Sequence, residues 1–163
     1  AELCRRLGIP FTVKRTELYE IIFNVRKEKC PCSLCARMRR GILHDMCKEL
    51  GCNKLALGHH MDDAVETFFM NLLNGGSISS FSPVTYLSRK DLYMIRPMIY
   101  AREKDMFRVA NALNLPIVKS KCPADGNTER EEMKALISEL SHKYDKLPQK
   151  IITAMKNANI SEW

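Results

Sequence analysis

At 163 residues the chain has room for one domain with a real core. Its 45% hydrophobic and 28% charged residues are the balance of a globular protein, and no apolar run approaches the roughly 20 residues of a membrane span. The formal net charge of +7 leaves two readings: a basic surface that keeps the protein dissolved, or one that meets a polyanion such as nucleic acid. No charged-then-apolar leader opens the chain, so the expected compartment is the cytoplasm, with no membrane partner. Structural disulfides are rare there, and seven cysteines therefore point to metal or redox chemistry.

AELCRRLG (1–8) predicts a helix, with Leu3, Cys4 and Leu7 at helical spacing and Gly8 at its end. FTVKRTEL alternates as a short strand does, and residues 24–31 are charged and read as loop. A helix is expected from Cys35 to Leu50, stopped by Gly51. KLALGHH (54–60) predicts a strand ending in polar residues, and MDDAVETFFMNLLNGG a helix ending at Gly75-Gly76. Residues 77–91 read as turns. LYMIRPMIY is a strand whose Pro97 implies an edge or a strand end. AREKDMFRVANALNLP follows as an amphipathic helix, then PIVKSKCPADG as extended segment and loop. NTEREEMKALISELSHKYD predicts a long helix capped by Asn127 or Thr128, and a short helix starts at Pro148. Strands alternating with helices predict an α/β fold with a parallel sheet and ligands at the strands' carboxyl ends. The expected organisation is one domain over 1–163, with 148–163 as a helical tail. The start at Ala1, without a methionine and inside a helix, fits a removed methionine or a chain cut from something longer.

Cys32 and Cys35 form a Cys-x-x-Cys pair at a loop-to-helix junction, where a helix N-terminus favours thiolates that grip one metal or cluster. A Cys-Pro at 122–123 offers a third ligand from another loop, and Cys30 a fourth. Three cysteines suit an iron–sulfur cluster with one iron open, and four suit a closed zinc site. Cys4, Cys47 and Cys52 read as small core residues. On the following helix, Arg37, Arg40 and His44 share an outer face, either solvated or a phosphate-contacting strip. Arg39 falls on the inner side, where a charge needs a partner. In GHHMDDAVET, His59, Asp62 and Glu66 would meet near the strand's carboxyl edge, a set suited to Mg2+ and a phosphate-bearing substrate. The alternative is that acids in a first helical turn only complement the helix dipole.

In order over nearly the whole chain, CSLCARMRRGIL, KLALGHHMDDAVETFFMNLLNGG, FSPVTYL, IRPMI and VKSKCPADGNTER resemble the tRNA 2-thiocytidine synthetase branch of the PP-loop ATPases. The resemblance implies a parallel-sheet adenine-nucleotide alpha-hydrolase-like domain. It implies an enzyme that activates the C2 carbonyl of a cytidine in tRNA with ATP, releases pyrophosphate, and lets sulfur displace AMP. It also implies a 4Fe–4S cluster on Cys32, Cys35 and Cys122, with Cys30 outside the pattern and the open iron receiving sulfur. Gly58, His59 and Asp62 would lie near ATP–Mg2+, with Asp63 turned outward, and Arg37 and Arg40 would meet tRNA. A sulfur donor such as a cysteine desulfurase is the implied partner, and a homodimer a candidate assembly. The family's SGGxDS loop is not in this sequence. The expectation is therefore a domain incomplete at its N-terminal side, the carboxyl-terminal portion of an enzyme, which alone binds ATP poorly. Two other readings remain: a related uridine thiolase, and a non-catalytic zinc-bearing RNA-binding module.

Overall fold

The computed structural model describes residues 1–27, 31–124, 126 and 128–163. Its sheet has three short strands, β1 (Lys54–Ala56), β2 (Val84–Leu87) and β3 (Leu92–Ile95), in the order β1-β3-β2. β1 pairs with β3 in parallel, Lys54 opposite Tyr93 and Ala56 opposite Ile95. β2 runs antiparallel to β3, Val84 opposite Ile95 and Leu87 opposite Leu92. This corrects the expected parallel sheet: the sheet is mixed. The reason is local, because only the 3-10 turn Ser88–Lys90 and Asp91, at φ 45°, separate β2 from β3. So short a link returns a chain antiparallel, whereas a parallel crossover needs a dozen residues or more. β3 ends two residues before Pro97 and is the central strand.

The strand expected in FTVKRTEL does not form. Residues 11–17 are irregular, Phe11 and Val13 are exposed, and none of the three strands pairs with them. Alternation makes a strand only where a neighbour accepts the backbone hydrogen bonds.

Six α-helices occur among the described residues: α1 (Glu2–Arg6), α2 (Pro31–Glu49), α3 (Met61–Leu73), α4 (Glu103–Ala112), α5 (Glu129–Lys143) and α6 (Leu147–Asn157). A π-helical turn, Glu20–Val25, precedes α2. α2 starts ahead of the expected Cys35 because Pro31 takes its first position, where a missing N–H leaves no bond unmade. Thr128 holds the N-cap position of α5, while Asn127 lies outside the described residues. α3 ends at Leu73, and Gly76, at φ 59°, turns the chain so that Ser77 N–H reaches the Asn71 carbonyl at 2.9 Å.

α3 is the centre of the main core. Met61, Ala64 and Val65, at helical spacing, pack with Ile99, with Met133 and Ile137 of α5, and with Ile152 and Met155 of α6. Complete burial of a side chain such as Val65 or Met155 stabilises the fold by about 1.5–3 kcal/mol. On the other side, α2 packs against β1 and the π-helical turn, with Ile22 and Cys47 buried. Lys90 ties the β2–β3 turn to Asp45 of α2 at 2.7 Å. The result sets two helix starts at one place: Met61 N–H donates to the Ala101 carbonyl at 2.9 Å, joining the entrance of α3 to that of α4.

Candidate functional site

The chain leaves β1 at Ala56 and passes through Gly58, His59 and His60 before α3 begins. His60 is the N-cap. Its Nδ1 accepts from the Asp63 N–H at 3.4 Å, and the Asp63 carboxylate accepts from the His60 N–H at 2.9 Å, a reciprocal capping box. Asp63, expected to turn outward, is therefore partly buried, and it also meets Arg130 at 3.5 Å. A Cβ at Gly58 would meet only the tip of Met98, at 3.6 Å, so the fold itself has room for a side chain there.

His59 takes partners outside this capping pair. Its ring stacks on Phe81 with centroids 4.8 Å apart, and its Nδ1 accepts from Arg96 Nε at 3.2 Å. Arg96 is only 6% exposed. Its Nη1 donates to the Ser82 carbonyl and, at 3.5 Å, to Thr85 Oγ1, while the guanidinium lies 4.7 Å from the Phe81 ring centre. Burial lowers the His59 pKa from its ordinary value, Asp63 opposes this, and the charges of Arg96, Arg130 and Arg39 lower it further. Arg96 is absent from the residues expected at the site, although a charge directly after the apolar run LYMI is a visible signal.

Asp62 faces α4. Its carboxylate accepts from Arg102 Nε at 2.9 Å and from the Glu103 N–H at 2.6 Å. Glu66, buried, pairs with Arg130 at 2.8 Å, and burial pushes its carboxyl up against the pull of that arginine. Asp62 and Glu66 line one cavity with Arg102, Glu103 and Lys134, and His59 is not in its lining. The structure thus brings the two acids together and sets His59 apart from them. Arg102 and Arg130 lie 40 and 64 residues from their partners in sequence, where no local pattern announces them.

On α2, Cys32 is exposed and Cys35 half-buried, one turn apart in the first two turns. Cys122 is exposed in the irregular segment before α5, its N–H bonded to Ser120 Oγ at 3.2 Å. Among the described residues no three His, Cys, Asp or Glu side chains gather where they could hold a metal ion. Cys30 lies outside the described residues. Cys47 is buried, but Cys52, read as a core thiol, is exposed. The two faces of α2 also differ from expectation. Arg39 is exposed like Arg37 and Arg40, whereas His44 is half-buried with its Nε2 sealed from water. His44 and Cys47 mark the face turned to the protein, while Arg40, one turn before His44, stays exposed. Charge repulsion from Arg40 reaches Arg96, as that from Arg39 reaches His59.

A profile of the PP-loop domain family matches residues 1–140, and the chain belongs to that family. The match takes in the chain's N-terminal residues, and the expectation of a domain incomplete at that side is not borne out by it. The chain's similar relatives within the family include tRNA-cytidine(32) 2-sulfurtransferases. It is 36% identical over 157 residues to the tRNA-cytidine(32) 2-sulfurtransferase of Dechloromonas aromatica, covering 93% of this chain and 53% of that one. To its counterpart in Syntrophotalea carbinolica it is 38% identical over 156 residues, covering 94% and 60%. The chain thus spans between half and three-fifths of the length of these relatives. In fold it is similar to the U34-tRNA thiolase NcsA from Methanococcus maripaludis, solved with its 4Fe-4S cluster. The TM-score is 0.78 at 24% identity, over 96% of this chain and 53% of that one. No helix among the described residues is long and apolar enough to cross a membrane.

Proposed function

We propose that this chain serves ATP-dependent thiolation of tRNA, forming 2-thiocytidine through an adenylated base. The observation that carries the reading is the course of α2. Cys32 and Cys35 open the helix, and Arg39 and Arg40, about one turn further on, bring positive charge toward His59 and Arg96. At 1.5 Å per residue, Cys35 lies about 6 Å along the axis from Arg39. Thiol chemistry and the cationic end of the sheet therefore share one rigid element.

Soft thiolates suit an iron–sulfur cluster in their chemistry. Cys32 and Cys35 would supply two ligands from one helix turn and Cys122 the third. When bound, such a cluster supplies an open iron that can take up sulfur from a donor such as a cysteine desulfurase. Magnesium does not fit Asp62 in the same way, because both carboxylate oxygens are already engaged by Arg102 and the Glu103 N–H.

The protein's own residues then divide the work. Arg37 and Arg40 attract tRNA phosphates toward the thiols. Gly58 leaves space for a nucleotide to approach the backbone. His59 presents its free ring edge to that nucleotide, and Asp62 holds the starts of α3 and α4 in register.

The test is nucleoside mass spectrometry of tRNA incubated with the anaerobically reconstituted protein, ATP, magnesium and a sulfide source. It is run with ATP and with ATP omitted. ATP-dependent 2-thiocytidine supports the reading. Thiolated uridine alone would move the chain to the uridine thiolases, and tRNA binding with no thiolated base would favour an RNA-binding module.

A further inference from the structure

We propose that Arg96 is a positioning residue that fixes His59 as a neutral imidazole protonated on Nε2, offered as a hydrogen-bond donor to an anionic oxygen. A guanidinium carries only donors and stays charged, so the nitrogen it faces must accept. Arg96 Nε lies 3.2 Å from His59 Nδ1. Nδ1 then carries a lone pair, and the ring proton belongs to Nε2.

This arrangement is held from several sides. Arg96 is 6% exposed, and its Nη1 is anchored on the Ser82 carbonyl and Thr85 Oγ1. Its own N–H donates to the Pro83 carbonyl at 3.1 Å. The guanidinium cannot leave Nδ1 without abandoning these bonds inside the protein. The imidazole is fixed in turn by Phe81, stacked at 28° between planes. Phe81 is itself clamped, since its carbonyl accepts from Trp163 Nε1 at 3.0 Å.

Nε2 of His59 is different. It has no hydrogen-bond partner among the described residues, yet it is not sealed, unlike Nε2 of His44. It is the ring's one open polar edge. A second proton, on Nδ1, would meet the Arg96 donor head-on, so the ring is held neutral. The ligand class follows from the surroundings and rests on the proposed function: with Arg39 and Arg40 bordering this end of the sheet, the acceptor is a phosphoryl oxygen. His59 is then neither a general base through Nδ1 nor a metal ligand through it.

The experiment is nitrogen-15 NMR of the histidine side chains in the 163-residue chain, without ATP or tRNA, His59 being assigned by comparison with His59→Gln. The expected spectrum at about pH 7 has His59 with a pyridine-type Nδ1 and a pyrrole-type, protonated Nε2. In Arg96→Met the split is expected to collapse toward a mixture of the two tautomers. A protonated Nδ1 in the parent protein, or an unchanged His59 pattern in Arg96→Met, would overturn the proposal. If Arg96→Met does not fold, the parent spectrum alone decides it. Inorganic pyrophosphate added to the parent should shift the Nε2 resonance, and a silent titration would overturn the anion-donor role. None of these readouts depends on thiolation, so failure of the tRNA assay leaves them standing, and the reverse.

Discussion

Asp62 and Arg102 meet at 2.9 Å across the joint between α3 and α4, and the same carboxylate takes the Glu103 N–H at 2.6 Å. An acid in the first turn of one helix thereby caps the next. Both side chains are largely buried, 16% and 23% exposed, so the contact is not a screened surface pair.

Replacing Asp62 with alanine should destabilise the fold by about 1.5–3 kcal/mol, the range for losing hydrogen bonds to a charged group. Asp62→Asn keeps an acceptor for the Glu103 N–H and should lose less. Urea unfolding of the two variants measures this. Equal and negligible shifts in midpoint would mean that Asp62 is not structural.

Glu66 makes stability depend on pH in the direction opposite to most carboxylates. Burial raises its pKa in the folded state above its ordinary value of 4.5. Between those two values the folded protein binds more protons than the unfolded chain, so this group's contribution falls as pH rises through the window. Glu66→Gln removes that dependence. The stability of the Gln variant relative to the parent should therefore improve from about pH 4 toward neutrality. A difference independent of pH would show that Arg130 cancels the effect of burial, and one that worsens toward neutrality would show that Arg130 outweighs it.

Arg37 and Arg40 are exposed, and Arg40 Nε bonds the Ala36 carbonyl at 3.2 Å, which holds it along the helix. Changing both to alanine should weaken tRNA binding and lower the slope of log affinity against log salt by roughly one for each phosphate no longer neutralised. An unchanged slope would return both arginines to a merely solvated face.

How far the sequence could be read depended on whether the deciding partner was local. α3 was plain because its apolar spacing and N-terminal acids lie within MDDAVETFFMNLL itself. β2 was hidden, since Val84–Leu87 is only four residues between serine-rich flanks, and its pairing with β3 cannot be seen from either alone. FTVKRTEL failed the other way, having the alternation of a strand but no neighbour. The faces of α2 were misassigned because apolar Met38 and Leu50 suggested the inner side, while packing against β1 selected His44 and Cys47. The motif GHHMDD marked the site, but the arginines that give each of its side chains a role come from beyond it, Arg96 just after β3, Arg102 at the start of α4 and Arg130 in α5.

The most direct test is iron, sulfide and zinc analysis after anaerobic reconstitution of the parent chain and its single cysteine-to-alanine variants. The expected result is an iron–sulfur chromophore in the parent, lost in Cys32→Ala, Cys35→Ala and Cys122→Ala and kept in Cys30→Ala. Zinc in place of iron, or iron lost with Cys30→Ala but retained with Cys122→Ala, would contradict it.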